Sequence, residues 1–430
     1  MLQQAAIAAE LARHRYDALI TLHRRHGPVF SLGAGRYRYV YLIGPEANRF
    51  IFANGHLFGT RDVFDSLAAV DGPTSLLISE GAEHTRRRRL VRPALHHRQV
   101  AGYVRTIAEE ADTAVDALTP GGTADVYQVF RAAVRRSTVR SLFGPRLAAD
   151  ADFFGARLQP MLDLIDRPPQ LVRLHRRLGT PAWRRAMAAK AGADARIFAE
   201  ISRLRAGSAD GDGHILAALV HGRGEDGTGL SDEEVRDQAI TLIAAGYETT
   251  GAAMAWAVHR MLRTEGAWKA VRAEAEEAGP PTAAALAGMP YLSGVVQETL
   301  RLHPPAAISA RRAVEGFSFA GRRVPAGALV VYSPYATHRL PGVWEDPAAF
   351  RPERWTGGLR PAPDEFLPFG GGAHRCVGSA LATTELAVML ARLAVRTVLS
   401  PIGPPPAPSG LITMRPGGGL PVRVLHRAPR

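Results

Sequence analysis

A mainly α-helical chain with small β-sheets, built as one large domain, is the fold class that this sequence predicts. Three observations predict it. Residues 377–397 are apolar almost all round (Ala380, Leu381, Leu386, Val388, Met389, Leu390, Leu393), the pattern of a long buried helix. Ser231 with Glu234 makes a capping box, and Asp232 and Glu233 fill the first turn of a second long helix that runs through Val235, Ala239, Leu242 and Ile243 to about Leu262. Strand signals, by contrast, are short and scattered. Over 430 residues no break in composition separates two cores, so a single domain with a β-rich N-terminal portion at about 28–60 and a helical core is expected.

Composition narrows the function classes. Apolar residues make up 46% and charged residues 22%, which excludes disordered and fibrous chains and allows a sizeable interior. The first thirty residues lack the apolar centre of a signal peptide, and no run of about 20 apolar residues occurs. A soluble, cytoplasmic protein without a membrane anchor is expected. The one cysteine, Cys376, rules out an internal disulfide. The net charge is +13, and only Lys190 and Lys269 among the 53 basic residues are lysine. Such a surface attracts acidic partners; without zinc-finger cysteines or an aromatic-rich basic strand pattern, nucleic acid ranks below an acidic protein.

Taken in order, residues 1–24 read as a basic amphipathic helix, and 28–32 with 37–43 read as strands around a turn at 33–36. Pro45 begins a helix at its first position. Residues 59–80 carry apolar side chains (Val63, Phe64, Leu67, Leu76, Leu77, Ile78) without regular signals, as in a loop that covers a site. In 81–100 lie His84 and Arg86 to Arg89; on a helix His84 and Arg88 share a face and could grip one anionic group, or the run could be a solvated basic face. Residues 101–220 alternate helices with breaks at 120–122, 144–145, 168–169 and 179–181, and 207–213 and 222–229 read as connectors. Residues 291–302 form a short helix, 324–332 supplies strands, 334–368 reads as a long coil, and 411–414 with 420–424 reads as a terminal hairpin.

Three motifs stand out. Around the cysteine the chain reads Phe369-Gly370-Gly371-Gly372-Ala373-His374-Arg375-Cys376-Val377-Gly378. Its glycines let backbone approach a large flat group and aim N–H donors at the sulfur, while the start of the following helix favours a thiolate. In the middle of the long helix, Ala245-Gly246-Tyr247-Glu248-Thr249-Thr250 places a glycine, a carboxylate and a hydroxyl where alanine or leucine is preferred. The glycine costs about 1 kcal/mol, and either a site or a close helix crossing accounts for it. Glu298 and Arg301, three apart in an apolar helix, can pair in the interior and would then want a third group.

With these motifs in this order, joined by Phe350-Arg351-Pro352-Glu353-Arg354-Trp355, the chain resembles the cytochrome P-450 family of haem-thiolate monooxygenases over nearly its whole length. The resemblance implies a triangular helical prism enclosing haem b, with Cys376 as the axial thiolate and metal ligand and Phe369 packed beside the sulfur. Ala245, Gly246, Gly370 and Gly378 would border the haem, Gly246 giving room beside it. His84, Arg88, Arg311 and His374 would hold its propionates, with Arg312 as the other candidate for the register of Arg311. Glu298, Arg301 and Arg354 would form a buried structural triad. Glu248 and Thr249 would be the acid and alcohol that relay protons during activation of O2.

The implied reaction inserts one atom of O2 into a hydrophobic small molecule. Electrons would come from NAD(P)H through an acidic ferredoxin and its reductase, for which Arg86, Arg87, Arg89 and Arg375 are docking candidates; a monomer is expected. Substrate contacts in the family's usual places fall on Val63, Phe64, Leu67, Leu77, Ala244, Ala245, Ala306, Ala307, Ile308 and Met414, apolar and often small, which suits a terpenoid, polyketide or fatty acyl molecule. A peroxide-driven peroxygenase on the same fold, or a haem-binding sensor without catalysis, are the alternatives. Glu248 and Thr249 weigh against both.

Overall fold

The computed structural model describes residues 2–13, 16–35, 38–207, 214–223 and 227–430. Where one N-terminal helix was expected there are two, α1 (Leu2–Arg13) and α2 (Asp17–His26). Strands β1 (Val29–Leu32) and β2 (Tyr39–Leu42) follow as predicted, with Arg36 of their turn outside the described residues. After α3 (Pro45–Ala53) and β3 (Phe58–Gly59), the predicted loop at 59–80 contains a helix, α4 (Asp65–Asp71). Its seven residues are too few for a periodic signal to emerge from the sequence.

The basic run forms α5 (Gly81–Val91), and α6 (His97–Ala101) and α7 (Val104–Asp116) follow. After β4 (Thr123–Asp125), α8 (Val126–Ala148) continues through the predicted break at 144–145 as a kink at Gly144, whose φ is 80°. The breaks at 168–169 and 179–181 separate α9 (Ala151–Ile165), α10 (Pro169–Leu178) and α11 (Pro181–Arg205), with proline at the first position of the latter two. The predicted connectors at 207–213 and 222–229 flank α12 (Ile215–His221); 208–213 and 224–226 lie outside the described residues.

The capping box is formed at Ser231, and α13 (Asp232–Arg263) is the longest element, 32 residues. It lies against α8, α11, α16 and α19, most extensively against α8. Two glycines permit that approach. A Cβ on Gly246 would come 3.1 Å from Thr138 of α8, and one on Gly251 would come 2.9 Å from the Arg131 backbone. The rule-breaking glycine at 246 therefore serves a helix crossing, the second of the two accounts the sequence allowed.

Helices α14 (Ala267–Ala278), α15 (Ala283–Ala287) and α16 (Pro290–Leu302) precede β5 (Ser309–Ala313), β6 (Phe317–Phe319), β7 (Arg322–Val324) and β8 (Leu329–Tyr332). The expected coil at 334–368 holds two four-residue helices, α17 (Pro334–Thr337) and α18 (Glu353–Thr356). The buried helix beyond the cysteine is α19 (Ser379–Arg396). The chain ends in β9 (Thr397–Pro401), β10 (Pro408–Ser409), β11 (Arg415–Pro416) and β12 (Pro421–Arg427).

The largest sheet has the order β1-β2-β8-β5-β3, with β2 and β8 parallel. It unites the N-terminal strands with strands some 270 residues later, completing the β-rich portion. The expected hairpin between 411–414 and 420–424 is not formed. Residues 411–414 lie in the connection between β10 and β11, whereas β12 pairs with β9 and β4. The reason is length: β12 has seven residues to pair, and two long-range partners satisfy more of its backbone than a short local turn would.

Candidate active site

The cysteine loop is held by its own backbone. Cys376 N donates to Phe369 O at 2.9 Å, Arg375 N to Gly372 O at 3.1 Å and Gly370 N to Leu367 O at 3.0 Å. Gly370 and Gly372 have φ of 66° and 65°, values a side chain would strain. Gly371 lies under the Phe52 ring, which a Cβ would meet at 2.5 Å. The Cys376 sulfur accepts from the Gly378 N–H, and its surface remains open. Enough protein surrounds it that burial pushes the thiol pKa up, against the lowering pull of that N–H and of Arg88 and Arg375. An iron bound here would reverse that balance in favour of the thiolate.

Helix α5 reaches this loop from the side. Arg88 Nη2 donates to Arg375 O at 2.6 Å, and the rings of His84 and His374 lie 4.1 Å apart at 33°. Burial, then the charges of His84, Arg311 and Arg88, hold His374 down to about 4; burial and Arg88 likewise lower His84. Both imidazoles are neutral at pH 7. Strand pairing Arg311↔Val330 fixes the register that the sequence left open. Arg311 is buried, lies over the faces of Phe64 and Tyr332 at 6.0 and 5.5 Å, and acts on His374. Arg312 turns outward to Asp62 at 3.3 Å and to Gly327 O at 2.8 Å.

Among the described residues the carboxylate acting on this cluster of two arginines and two imidazoles is Glu80, which is already occupied by the Thr60 and Arg61 N–H groups and the Thr60 hydroxyl. A group carrying two carboxylates beside an open sulfur fits such a donor set, and haem b with its propionates is such a group.

Helix α13 presents two different faces. Ala245 is exposed and Thr249 half-buried, although the helix around them is mostly interior; Thr249 Oγ1 donates to Ala245 O at 2.8 Å. Glu248, one residue and about 100° further round the helix, does not join them. Its carboxylate accepts from Tyr127 Oη at 2.6 Å and pairs with Arg131 at 3.3 Å, both on α8. The acid is buried against α8, because an interior carboxylate is costly unless a cation and a hydrogen-bond donor meet it. The Tyr127 hydroxyl is pushed far above its usual pKa by burial and by Glu248. Neither partner was legible in the sequence.

The expected triad is assembled. Glu298 accepts from Arg301 Nη2 and Nε at 2.8 Å each and from Arg354 Nε at 3.1 Å; Trp355 Nε1 at 3.0 Å and Arg351 N at 3.0 Å complete it. Arg301 spends its remaining hydrogens on the carbonyls of His338, Pro347 and Ala349. Burial raises the Glu298 pKa less than these donors lower it, so the carboxylate stays charged. Trp355 lay in the motif but was not singled out.

The candidate substrate contacts divide. Val63, Phe64, Leu67 and Ile308 are half-buried, and Leu77, Ala245 and Ala306 are exposed. Ala244, Ala307 and Met414 are corrections: all are buried, Met414 in a cluster with Tyr16, Ala307 and Tyr335, so they face packed protein. Two docking candidates are also corrected. Arg86 and Arg87 are both tied to Glu234 of α13, Arg87 at 2.8 Å, and to Glu83, whereas Arg89 and Arg375 lie at the surface. One buried acid was missed altogether. Glu385 of α19 accepts from Ser137 and Thr138 of α8 at 2.9 and 3.2 Å, and burial without a cation pushes its pKa up to about 8.

Comparison with known proteins bears on the whole chain. The family model "Cytochrome P-450" matches residues 4–402. A putative cytochrome P-450 139 of Mycobacterium tuberculosis is 46% identical over 427 residues, covering 96% of this chain and 98% of its own length. The cyclooctat-9-en-7-ol 5-monooxygenase of Streptomyces melanosporofaciens is 33% identical over 385 residues, covering 88% and 83%. In three dimensions a retinoic-acid-bound cyanobacterial CYP120A1 has a TM-score of 0.84 with 24% identity, covering 95% and 93% of the two chains, which shows a shared fold. The conjunction of that profile with a glycine-cradled cysteine facing a cationic rim leaves one conclusion: the chain belongs to the cytochrome P-450 family, as a haem-thiolate monooxygenase.

Proposed function

We propose that this chain oxidises a bulky hydrophobic molecule of terpenoid, polyketide or fatty acyl type, with electrons delivered by a separate acidic ferredoxin. The observation that carries the reading is the open stretch of α13 at Ala245, small, apolar and exposed in a mostly buried helix, with the Thr249 hydroxyl one turn away; Val63, Phe64, Leu67 and Ile308, half-buried and apolar, would supply the contacts of such a substrate. The Streptomyces relative's name, a monooxygenase of cyclooctat-9-en-7-ol, supports a substrate of this polarity.

Bound haem would supply an iron whose thiolate ligand favours cleavage of the O–O bond. Cys376 would provide that thiolate, with the Gly378 N–H stabilising its charge, and His84, Arg88, Arg311 and His374 would hold the propionates. The arriving carboxylates would raise the pKa of both imidazoles towards the charged form. Thr249 keeps its hydroxyl proton on the Ala245 carbonyl and can turn it into the cleft by rotation about one bond. Glu248 could resupply that proton only by leaving Arg131 and Tyr127. That withdrawal is the one observation favouring the peroxide-driven reading, since a peroxygenase needs no such relay.

The test is a panel of terpenoids, polyketides and fatty acids screened for a substrate-induced spin-state shift, followed by turnover with ferredoxin, reductase and NAD(P)H against turnover with peroxide alone. Productive oxidation in the first system is expected. Turnover with peroxide only would replace the reading by its alternative, and absence of a shift with every apolar class would remove the substrate assignment.

A further inference from the structure

The stretch that carries Val63, Phe64, Leu67 and Leu77 is anchored at its middle by charged side chains that the function proposed above does not use. Asp71, the last residue of α4, is 3% exposed, Lys190 of α11 is 4% exposed and Asp237 of α13 is 0% exposed. Lys190 Nζ meets Asp194 Oδ2 at 2.6 Å, and Arg236 spans Asp194 at 3.0 Å and Asp237 at 2.8 Å. Asp237 also accepts from the Thr74 N–H at 2.8 Å and from the Thr74 hydroxyl at 2.7 Å. Gln238 beside it accepts from the Leu76 N–H and donates to Thr74 O, each at 2.9 Å. Residues 71–76 are thereby stapled to α13, so closely that a Cβ on Gly72 would come 1.9 Å from Asp237 Oδ1. Asp71, one residue earlier, has no hydrogen-bond partner among the described residues, and the charges acting on it are those of Asp237 and Lys190.

The charges in this group do not balance. Among the described residues three carboxyl groups, Asp71, Asp194 and Asp237, share two cations, Lys190 and Arg236. An interior charge without a counter-ion is costly, and one proton makes the group neutral. Asp71, which no donor meets, is where that proton resides. We propose that Asp71 and Asp237 form an acid–carboxylate pair whose proton holds the 63–77 stretch against α13: loss of the proton to water sets two like charges side by side and releases the segment. Burial and then the Asp237 charge push the Asp71 pKa up to about 7, against the pull of Lys190. Burial raises that of Asp237 as well, against Thr74, Arg236 and Lys190. On the other sides of α4, Arg176 of α10 meets Asp65 at 3.5 Å, at the opposite end of the helix, and Asp163 of α9 bonds Gln159; neither acts on Asp71. Asp71 is thus a positioning residue, whose charge state decides how firmly the apolar side chains on either side of it are held. The inference needs no substrate and stands apart from the class proposed above.

The experiment is amide hydrogen exchange of the haem-loaded protein, followed by mass spectrometry between pH 5 and 8 and corrected for the intrinsic exchange rate. It is read on the peptide carrying Thr74 and Leu76, whose N–H groups are bonded to α13. A detached segment ionises at the ordinary 3.8 and an attached one only near 7, so attachment weakens as pH rises between these values. Protection of the peptide should therefore fall about tenfold per unit from pH 5 towards 7 and level off above about 7. Asp71→Asn, neutral throughout, should keep protection high and flat; Glu385 is unaltered in that variant, so the pH dependence of the second acid cancels in the comparison. Should Asp71→Asn lose its haem, Lys190→Met, which removes the cation acting on Asp71, should move the levelling point up by about one pH unit or more. A wild-type profile without the fall overturns the proposal, as does a fall that persists in Asp71→Asn or a levelling point that Lys190→Met leaves in place.

Discussion

Replacing Glu385 by glutamine should make the protein more stable at neutral pH, although it removes a hydrogen-bonded interior side chain. Ser137 and Thr138 both donate to Oε1, which a glutamine carbonyl retains, while among the described residues no arginine, lysine or histidine is bonded to the carboxyl. Burial therefore dominates and lifts the pKa from 4.5 to about 8. The sign follows from where the proton resides. Below pH 4.5 the group is protonated folded or unfolded, and its titration costs nothing. Between 4.5 and about 8 the unfolded chain ionises while the folded one holds its proton, so this group's contribution to stability falls as pH rises and levels off above that range. At 1.36 kcal/mol per pK unit the full span is about 5 kcal/mol, a ceiling that relaxation and water entry lower to roughly 2–4 kcal/mol. Thermal unfolding of the haem-loaded protein by far-ultraviolet circular dichroism, wild type against Glu385→Gln at pH 5, 6.5 and 8, reads the difference. For a chain this long about 1 kcal/mol corresponds to roughly 1 °C, so the variant should gain about 2–4 °C on wild type between pH 5 and pH 8. A difference that stays constant with pH would show that Glu385 is ionised when folded and would refute the reasoning.

Four further outcomes are expected. Cys376→Ser should bind haem weakly and lose the red-shifted carbon monoxide band and at least about a hundredfold of its activity; an unaltered band would remove the cysteine as ligand. Thr249→Ala should keep its haem and its rate of NAD(P)H consumption within a few-fold while most of the electrons emerge as peroxide, and tight coupling in that variant would overturn the proton role of the hydroxyl. Arg301→Ala strips a fully buried glutamate of its bidentate partner and should cost about 3–5 kcal/mol, read as loss of soluble, haem-loaded protein; a variant that expresses and unfolds like wild type would contradict it. Arg375→Glu should slow reduction by an acidic ferredoxin about tenfold and reduce its salt dependence, whereas Arg86→Gln, already paired with Glu83 and Glu234, should leave reduction within about twofold while destabilising the contact between α5 and α13. Equal effects of the two would place docking elsewhere.

What could be read in the sequence were features whose partners lie close along the chain or in a motif. The Cys376 loop, the capping box at Ser231 and the Glu298–Arg301 pair are all local, and Arg354 was supplied by resemblance. Arg311 could be separated from Arg312 only by strand pairing, because alternation needs a known neighbour to say which face is inward. The partners of Glu248 are 121 and 117 residues away, and those joining Arg86 and Arg87 to Glu234 are 148 and 147 away. No periodicity reports such pairs. Arginine runs therefore looked like a free surface when half of this one is spent inside the molecule, and Met414 looked like a pocket residue because an apolar side chain near a site and one in the core have the same composition.

Helix α13 shows why its central motif was hard to interpret from residue types alone. Gly246, Glu248 and Gly251 are engaged by α8, two through close approach of the helices and one through an ion pair, while Ala245 is exposed and Thr249 half-buried. The two sets interleave along seven residues because neighbours on a helix point about 100° apart. Thr249's bond to the Ala245 carbonyl takes an acceptor on the open side, and Glu248 clamps the opposite side to Arg131. Structural clamping and the proton handling proposed for Thr249 would thus occupy adjacent residues without sharing side chains. It follows that Arg131→Gln with Tyr127→Phe, which together release Glu248 without touching Thr249, is the change that separates the two roles. If the carboxylate serves proton supply, releasing it should raise the coupled rate or shift its pH profile; if it serves only the crossing of α8 and α13, stability should fall and the pH profile of turnover should remain where it was.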